Sequence, residues 1–295
     1  MTQTALIGST STLGNLLSSK RFFDYLINLD NLSLVRGKQF AELVLICPSL
    51  WEVPGAGQEA AERQIQALAR LMEALQEVKV ERLTYITGFD LIPIDGDEES
   101  PLLCKSDDSR LAALIQFRDT INFQFGRVLT IRLPELLGVG DGFSVLGDLR
   151  QAQAAQSKVS LPLLAKHQFY PASRLLKDID KSWACGMFSV NFATHPVTIF
   201  DVVELFFPDL INALPLAKAS DPSGSDRKSV KAFYWNDPMD GYIMDKEGVI
   251  EAVVGDILAA YGEGAVAERS ELTGSYPWVK EQFEKKGFKM PGEKK

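Results

Sequence analysis

The sequence contains few of the residues that form disulfide frameworks or metal centres. Its 295 residues include 3 cysteines and 2 histidines. Cys47, Cys104 and Cys185 are odd in number and far apart, which favours reduced thiols in a cytoplasmic protein over a disulfide framework or a zinc site. His167 and His195 have no cysteine or carboxylate partner at ligand spacing, which favours structural roles. We therefore expect no metal site.

The sequence also lacks long apolar runs and an excess of positive charge. No uncharged apolar stretch approaches the length that spans a bilayer. No charged segment followed by an apolar segment precedes the first apolar run, so we expect neither a secretory signal nor a membrane partner. The formal net charge of −8 argues against a nucleic-acid partner. The apolar content of 46% and the charged content of 24% are typical of a soluble globular protein.

A turn rich in small residues follows the first apolar run, Thr4–Ile7. The spacing is that of a G-x-x-G-x-x-G turn in which Ser11 replaces the middle glycine. A strand, a small-residue turn and a helix start, in that order, suit a backbone that approaches a diphosphate. The alternative is a structural turn between a strand and a helix. The residues of this glycine turn are Gly8, Ser9, Thr10, Ser11, Thr12, Leu13 and Gly14.

Strands and helices are predicted to alternate after this turn. Apolar runs predict strands over 42–47, 83–87 and 128–133, and a second strand or the approach to it over 22–27. Apolar residues at steps of three and four predict a helix over 58–79, and a second helix is expected over 110–125. This alternation favours an α/β fold with a Rossmann-type, doubly wound parallel sheet.

The second half of the chain is less regular. We predict helices over 198–206, with Thr198 as the N-cap, and over 246–261. Residues 95–99 are predicted to form a solvated acidic loop. The predicted organisation is a dinucleotide-binding core over 1–135, a smaller substrate lobe with returning sheet elements over 136–262, and a charged, mobile tail over 263–295.

Several segments together resemble the extended short-chain dehydrogenase/reductase family, which includes nucleotide-sugar epimerases and dehydratases. The glycine turn matches the family's first turn, and 43–49 matches the strand that passes under the cofactor. Arg132-Leu133-Pro134, followed by Gly138, matches the family's R-L-P-x-x-x-G stretch. The segments 168–171 and 190–198 are similar to the pieces that border the family's substrate cleft. The resemblance covers residues 4 to about 261.

The resemblance implies a nicotinamide dinucleotide as cofactor. The glycine turn, Asn28, Pro48 and Arg110 then occupy cofactor-binding positions. Asn28 stands where an adenosine-ribose carboxylate is expected, and its neutrality leaves NAD and NADP both open. Lys20 and Arg21 are alternative contacts for a 2′-phosphate, although solvated roles are favoured. The resemblance further implies a nucleotide-sugar or another small molecule as ligand, and it leaves a homodimer open.

The positions that carry catalysis in the resembled family are substituted here. Gly88 stands at the Ser/Thr position with Thr87 one residue early, Ser106 replaces the tyrosine, and Arg110 replaces the lysine. A serine hydroxyl is too weakly acidic to relay a proton as a tuned phenol does, and arginine keeps its proton. Tyr170 is the better substitute for the missing phenol, whereas Tyr85 suits the core.

Three function classes follow from these observations. The first is a dinucleotide-binding relative that has lost the usual hydride-transfer chemistry, that is, a pseudoenzyme. The second is an active nucleotide-sugar oxidoreductase, epimerase or dehydratase with a non-standard catalytic set. The third is a non-catalytic scaffold or regulatory subunit. Substitution of all three catalytic positions favours the first.

Overall fold

A computed structural model describes residues 3–50, 58–93, 95–103, 108–139, 144–157, 161–215 and 241–261. The helices are α1 (Thr12–Lys20), α2 (Gln58–Leu75), α3 (Ser109–Gln124), α4 (Val145–Ala155), α5 (Leu175–Ala184), α6 (Ile199–Phe206) and α7 (Lys246–Tyr261). The strands are β1 (Thr4–Ile7), β2 (Tyr25–Ile27), β3 (Gln39–Ile46), β4 (Lys79–Gly88), β5 (Val128–Leu133), β6 (Glu135–Leu137), β7 (Lys166–His167), β8 (Phe169–Pro171), β9 (Ser189–Asn191) and β10 (Val197–Thr198).

The main sheet has six strands in the order β2-β1-β3-β4-β5-β9. Every neighbouring pair in it is parallel. The chain extends outward from β1 in both directions, so the topological switch point lies between β1 and β3. This arrangement confirms the predicted doubly wound α/β sheet. It also places the expected ligand crevice beyond the carboxyl ends of β1 and β3.

Alternate residues of each strand pack against opposite helix layers. Leu43 and Tyr85 belong to the core that includes α2 and α3. Val44 and Ile86 belong to the core that includes α1 and α5. Because β5 lies inside the sheet and is covered on both faces, every one of its residues is buried. The near-continuous apolar run of this strand follows from that position.

A third hydrophobic core forms among α4, α6 and α7. Leu146, Val202 and Val253 are buried in it. The parallel pair β6–β8 and the antiparallel pair β7–β10 belong to this part of the chain. The strand β9 returns to the main sheet beside β5. The predicted boundaries at 135 and 262 stay a prediction, and residues 263–295 lie outside the described part of the chain.

The start of α6 confirms the predicted N-cap. The Thr198 hydroxyl accepts the backbone N–H of Asp201, while the Asp201 carboxylate accepts the backbone N–H of Thr198 at 2.8 Å. These reciprocal bonds form a capping box, which satisfies N–H groups that a helix start leaves open. Lys246, the first residue of α7, donates to the same carboxylate at 2.9 Å. One side chain therefore caps α6 and connects it to α7.

The structure corrects several of the predicted elements. The helix predicted over 58–79 ends at Leu75, because Lys79 already begins β4. The strand predicted over 22–27 comprises only Tyr25–Ile27, and Phe22 is 81% exposed because it precedes the paired residues. The acidic loop over 95–99 is not simply solvated, since the Glu98 carboxylate accepts the backbone N–H of Asn191 at 2.6 Å. This loop thus packs against the outer strand β9.

The Asp201 carboxylate predicts a pH-dependent contribution to stability. Burial alone would raise the pKa of Asp201, but hydrogen bonds from Lys246 and Thr198 outweigh it and lower the pKa. A carboxyl whose pKa is lower in the folded state stabilises the fold above its unfolded pKa, and this stabilisation disappears as the pH falls through its folded pKa. We expect Asp201→Asn to lower the free energy of unfolding at pH 7 by about 1 kcal/mol.

Urea unfolding at neutral and acidic pH checks this expectation. The difference between the wild type and Asp201→Asn should shrink as the pH falls below about 4, the unfolded value for aspartate. Asp209→Asn, which changes an exposed carboxylate, is the control and should leave stability nearly unchanged. A difference in stability between the wild type and Asp201→Asn that stays constant with pH would contradict the stabilising role of the Asp201 carboxylate.

Candidate functional site

The glycine turn is fastened to the neighbouring strand. The N–H groups of Gly8 and Ser9 donate to the carbonyl of Ile27, the last residue of β2, at 2.9 and 3.0 Å. Gly8 has a φ of 94°, a conformation that glycine adopts without a Cβ clash. The backbone therefore turns sharply at the carboxyl end of β1, beside the switch point of the sheet.

The two glycines at the ends of the turn lie against each other. A Cβ added at Gly14 would lie 2.0 Å from the Gly8 carbonyl oxygen and 2.8 Å from the Ser9 Cα. Only a residue without a Cβ allows this approach of α1 to the end of β1. This is the packing role expected for the last glycine of a dinucleotide turn.

Ser11 closes the turn from inside. Its hydroxyl donates to the Gly8 carbonyl at 2.7 Å and accepts the Gly14 N–H at 2.9 Å, so Ser11 is also the N-cap of α1. The residue is only 5% exposed. Its side chain therefore does not fill the outer surface of the turn, although it replaces a glycine of the family pattern.

The outer surface of the turn carries Thr10 and Thr12, which are both exposed. Leu13 instead points its side chain into the core beneath α1. By helix geometry, the N–H groups of Thr12 and Leu13 have no intrahelical acceptor. The N-terminus of α1 thus presents free donors and a partial positive charge at the switch point, as an anion site requires.

Asn28 builds the loop after β2. Its side-chain oxygen accepts the N–H groups of Asp30 and Asn31 at 2.8 and 3.2 Å. Arg70 of α2 reaches the same loop and donates to the Leu29 carbonyl at 2.6 Å. The loop therefore has a defined shape at the position expected for the adenosine ribose, with a cation next to it.

Arg21 lies away from this loop. Its guanidinium contacts Glu42 at 3.0 Å and Asp180 at 2.6 Å, beyond the C-terminal end of α1. Both carboxylates pair with the Arg21 guanidinium at the end of α1 opposite to the glycine turn. The alternative role of Arg21 at a 2′-phosphate is therefore wrong. The favoured reading, a surface role, agrees with these contacts.

Thr87 joins a buried polar cluster at the carboxyl ends of β3 and β4. The Tyr85 hydroxyl interacts with the Cys47 thiol and the Thr87 side chain. Thr87 is only 8% exposed, and Pro48, which directly follows Cys47, is also buried. Burial raises the pKa of Tyr85 well above its ordinary value and raises that of Cys47. A neutral, poorly acidic phenol of this kind is not prepared for proton exchange at neutral pH.

Arg110 lies at the start of α3 and is partly exposed. The Asp108 side chain caps the helix by accepting the N–H groups of Arg110 and Leu111 at 3.0 and 3.1 Å. The Arg110 guanidinium lies 3.4 Å from the Asp90 carboxylate, on the loop that follows β4. The structure therefore brings Arg110 to the end of β4, whereas Ser106 lies outside the described residues.

Tyr170 does not substitute for the missing phenol. It is completely buried, and its hydroxyl donates to the Asp178 carboxylate at 2.8 Å. Burial, followed by the charge of Asp178, raises the pKa of Tyr170 far above its ordinary value. Tyr170 belongs to the core on the α1 and α5 face of the sheet. The prediction that it reaches the cleft is therefore wrong.

Sequence reasoning missed a second buried polar group, centred on Arg132. Arg132 is 7% exposed and donates to the Asn191 side-chain oxygen at 3.0 Å. Burial lowers the pKa of Arg132 to about 10, and the Glu98 carboxylate opposes this change. An arginine inside the apolar run of β5 was the available signal, because a buried charge needs partners.

The two histidines contact neighbouring groups of the fold. His167 is buried and stacks on Phe169, and the His195 Nδ1 lies 2.9 Å from the Pro196 carbonyl. Within the described ranges, no three histidine, cysteine or acidic side chains converge to hold a metal ion. In the same ranges, no helix is sufficiently long and apolar to cross a membrane.

Comparisons with known proteins give matches in structure alone. No protein-family model matches the chain, and a search of curated proteins finds no match. MoeE5, solved in complex with UDP-glucose and NAD, has a TM-score of 0.60 at 15% identity, with 86% of this chain and 97% of that chain covered.

Two further solved structures are similar in fold. A dTDP-4-dehydrorhamnose reductase from Bacillus anthracis, in complex with NADP, has a TM-score of 0.54 at 13% identity, over 74% of this chain and 85% of that chain. A UDP-N-acetylglucosamine 4-epimerase from Bacillus cereus has a TM-score of 0.52 at 14% identity, over 74% and 86%. At these identities the likeness establishes a shared Rossmann-type fold.

The contact between the two glycines predicts an unusual effect of alanine. Alanine in a helix normally stabilises it relative to glycine by about 1 kcal/mol. We expect Gly14→Ala instead to lower the free energy of unfolding by roughly 1–3 kcal/mol, because its Cβ would overlap the Gly8 carbonyl. Gly255→Ala, where a Cβ meets nothing within 4 Å, is the control and should stabilise the protein. Denaturant unfolding measures the free energy of unfolding of both variants. Equal changes in Gly14→Ala and Gly255→Ala would refute the close packing of Gly14 on Gly8.

The Tyr170 assignment is tested by removing one hydroxyl. We expect Tyr170→Phe to lower the free energy of unfolding by roughly 1–3 kcal/mol, because the buried Asp178 carboxylate loses a donor. The matched variant Tyr25→Phe also removes a hydrogen-bonded hydroxyl, the one bonded to Lys38, but at a half-buried site. Tyr25→Phe should therefore lower the free energy of unfolding by less than Tyr170→Phe does. Urea unfolding of both variants decides, and a Tyr170→Phe protein as stable as the wild type would contradict a structural role.

Proposed function

We propose that the chain binds a nicotinamide dinucleotide, NAD or NADP, with its diphosphate on the outer surface of the glycine turn. The observation that carries this proposal is the close packing of Gly14 on Gly8, which sets the open N-terminus of α1 at the switch point of the sheet. Diphosphates bind at this place because the N–H groups and the helix dipole converge there. Two of the similar structures contain NAD or NADP, which supports the proposal.

The second ligand in this proposal is a nucleotide-sugar. It would lie beyond the carboxyl ends of β4 and β5, where Arg110 and Asp90 meet. An arginine suits the phosphates of such a ligand because its guanidinium donates two parallel hydrogen bonds. The complex of MoeE5 with UDP-glucose and the reductase and epimerase of similar fold support this class of ligand. A cytoplasmic location and a homodimer stay predictions.

We further propose that the protein has lost the usual hydride-transfer chemistry. Thr87 is engaged in the buried cluster with Tyr85, and the Tyr85 phenol is too weakly acidic to relay a proton. Arg110 holds a ribose or a phosphate but does not release a proton. The alternative of an active oxidoreductase or epimerase requires a different proton donor. A scaffold or regulatory subunit without ligand binding is the third option.

The phosphate state of the cofactor depends on the loop after β2. The neutral Asn28 does not repel a 2′-phosphate as a carboxylate would, and its oxygen is already used within the loop. Arg70, bonded to the Leu29 carbonyl, places a positive charge beside this position. Binding of NADP should therefore depend on Arg70 more than binding of NAD does.

Calorimetric titration with NAD and NADP tests the proposed diphosphate site. We expect Thr12→Asp to weaken binding at least about tenfold, because a carboxylate at the helix N-terminus repels the diphosphate. The same charge favours the helix, so thermal stability should not fall. Thr12→Asn, which is neutral, is the control and should bind nearly as the wild type does. Saturable binding that Thr12→Asp leaves unchanged, or no binding of either cofactor, would overturn the proposal.

A turnover assay separates the catalytic alternatives. Absorbance of the reduced nicotinamide is followed while the protein is incubated with NAD or NADP and UDP-glucose. A binding protein without chemistry gives cofactor binding but neither a change in absorbance nor a conversion of UDP-glucose, which chromatography of the nucleotide-sugars detects. The second readout is needed because an epimerase or dehydratase returns the hydride to the sugar and leaves no net reduced cofactor. Turnover that Arg110→Met abolishes would instead establish an active enzyme with a non-standard catalytic set.

A further inference from the structure

A carboxylate lies directly over the end of β4. A Cβ added at Gly88, the last residue of this strand, would lie 2.9 Å from the Oδ2 atom of Asp90. This distance is shorter than van der Waals contact, so the Asp90 side chain occupies the space that a side chain at position 88 would need. The absence of a side chain at Gly88 therefore allows the carboxylate to lie against the carboxyl edge of the sheet.

The Asp90 carboxylate is paired only in part. Its Oδ1 atom lies 3.4 Å from the Nη1 atom of Arg110. This is a single contact, whereas an arginine and a carboxylate at their best form two parallel hydrogen bonds. Both side chains keep exposed surface, 27% for Asp90 and 35% for Arg110. The pair therefore offers acceptor oxygens and donor N–H groups to a ligand at the same place.

Carboxylates outnumber cations at this place. Asp108 caps α3 by accepting the N–H groups of Arg110 and Leu111, so a second carboxylate lies beside the same residue. Within the described ranges, Arg110 is the one cation that contacts Asp90. Two carboxylates and one guanidinium give this end of the cleft a net negative charge before any ligand binds.

A ligand that brings a further carboxylate to this position meets repulsion. The added charge would lie close to Asp90 and would compete with Asp90, and with the phosphates of the ligand itself, for Arg110. Like charges at short range cost free energy even where water screens them in part. A sugar hydroxyl, in contrast, donates to a carboxylate and accepts from a guanidinium, so it uses both members of the pair.

We propose that Asp90 selects the sugar of the bound nucleotide-sugar, favouring a neutral sugar with free hydroxyl groups over an acidic sugar such as a uronic acid. The selection rests on the proposed function, since it concerns the same nucleotide-sugar site. Asp90 acts here by accepting hydrogen bonds and by repelling a carboxylate. The selection is therefore the same whether or not the protein converts its ligand.

Titration calorimetry of the full chain with UDP-glucose and UDP-glucuronate, with and without NADH, tests the selection. The two probes share the nucleotide and differ by one carboxylate, so effects on the nucleotide cancel in the ratio of their dissociation constants. We expect UDP-glucose to bind about tenfold more tightly, or better. Asp90→Asn keeps the shape of the side chain and removes its charge, and it should bring the ratio close to one.

Two further variants test the geometry. Gly88→Ala should also lower the ratio, because its Cβ would displace the Asp90 carboxylate, which is the movable end of a side chain. Asp119→Asn removes an exposed carboxylate from the helix that carries Arg110. Residue 119 lies roughly 13 Å along α3 from residue 110. Asp119→Asn should therefore leave the ratio unchanged.

Different results refute different claims. Equal binding of the two probes, or a ratio that Asp90→Asn leaves unchanged, would overturn the selection and keep the nucleotide-sugar site. Tighter binding of UDP-glucuronate would also overturn it, because Arg110 and not Asp90 would then dominate recognition of the sugar. A ratio that falls equally in Asp119→Asn would assign the effect to overall charge and refute the role of Asp90. Binding of neither probe would refute the nucleotide-sugar proposal and the selection with it.

Discussion

The structure depends on the contact between the Gly8 carbonyl and Gly14. This contact sets the distance between α1 and the end of β1, and it is possible only because Gly14 carries no side chain. Ser11 reinforces it by bonding to both glycines. A serine in place of the middle glycine therefore keeps the shape of the turn through hydrogen bonds instead of through backbone freedom.

The two faces of the sheet differ in chemical character toward the carboxyl ends of its strands. The face under α1 and α5 is apolar, with Ile86 and Ile131 in one core. On the other face, the register aligns Thr87 with Arg132 and Arg132 with Asn191. Because paired residues of parallel strands share a face, these buried polar groups form one continuous row.

The extent to which the sequence predicted the fold differs between elements. The strand β5 and the helix α7 have the predicted bounds, because both coincide with apolar stretches, which are local properties of the sequence. The pairing of Glu98 with Asn191 joins residues 93 positions apart, and periodicity indicates a face but not a distant partner. The same limit explains Tyr170, which was placed in the cleft by its segment although its hydroxyl bonds to Asp178 inside the core.

The bond between Asp201 and Lys246 closes a stretch of chain that is 45 residues long. Asp201 lies in the first turn of α6 and Lys246 begins α7, so the third core is joined at both helix starts regardless of the chain between them. The entropy of closing a loop rises slowly with its length, by about 0.6 kcal/mol for each doubling. Relatives with a longer or shorter connection between α6 and α7 could therefore keep the same core at little cost in stability.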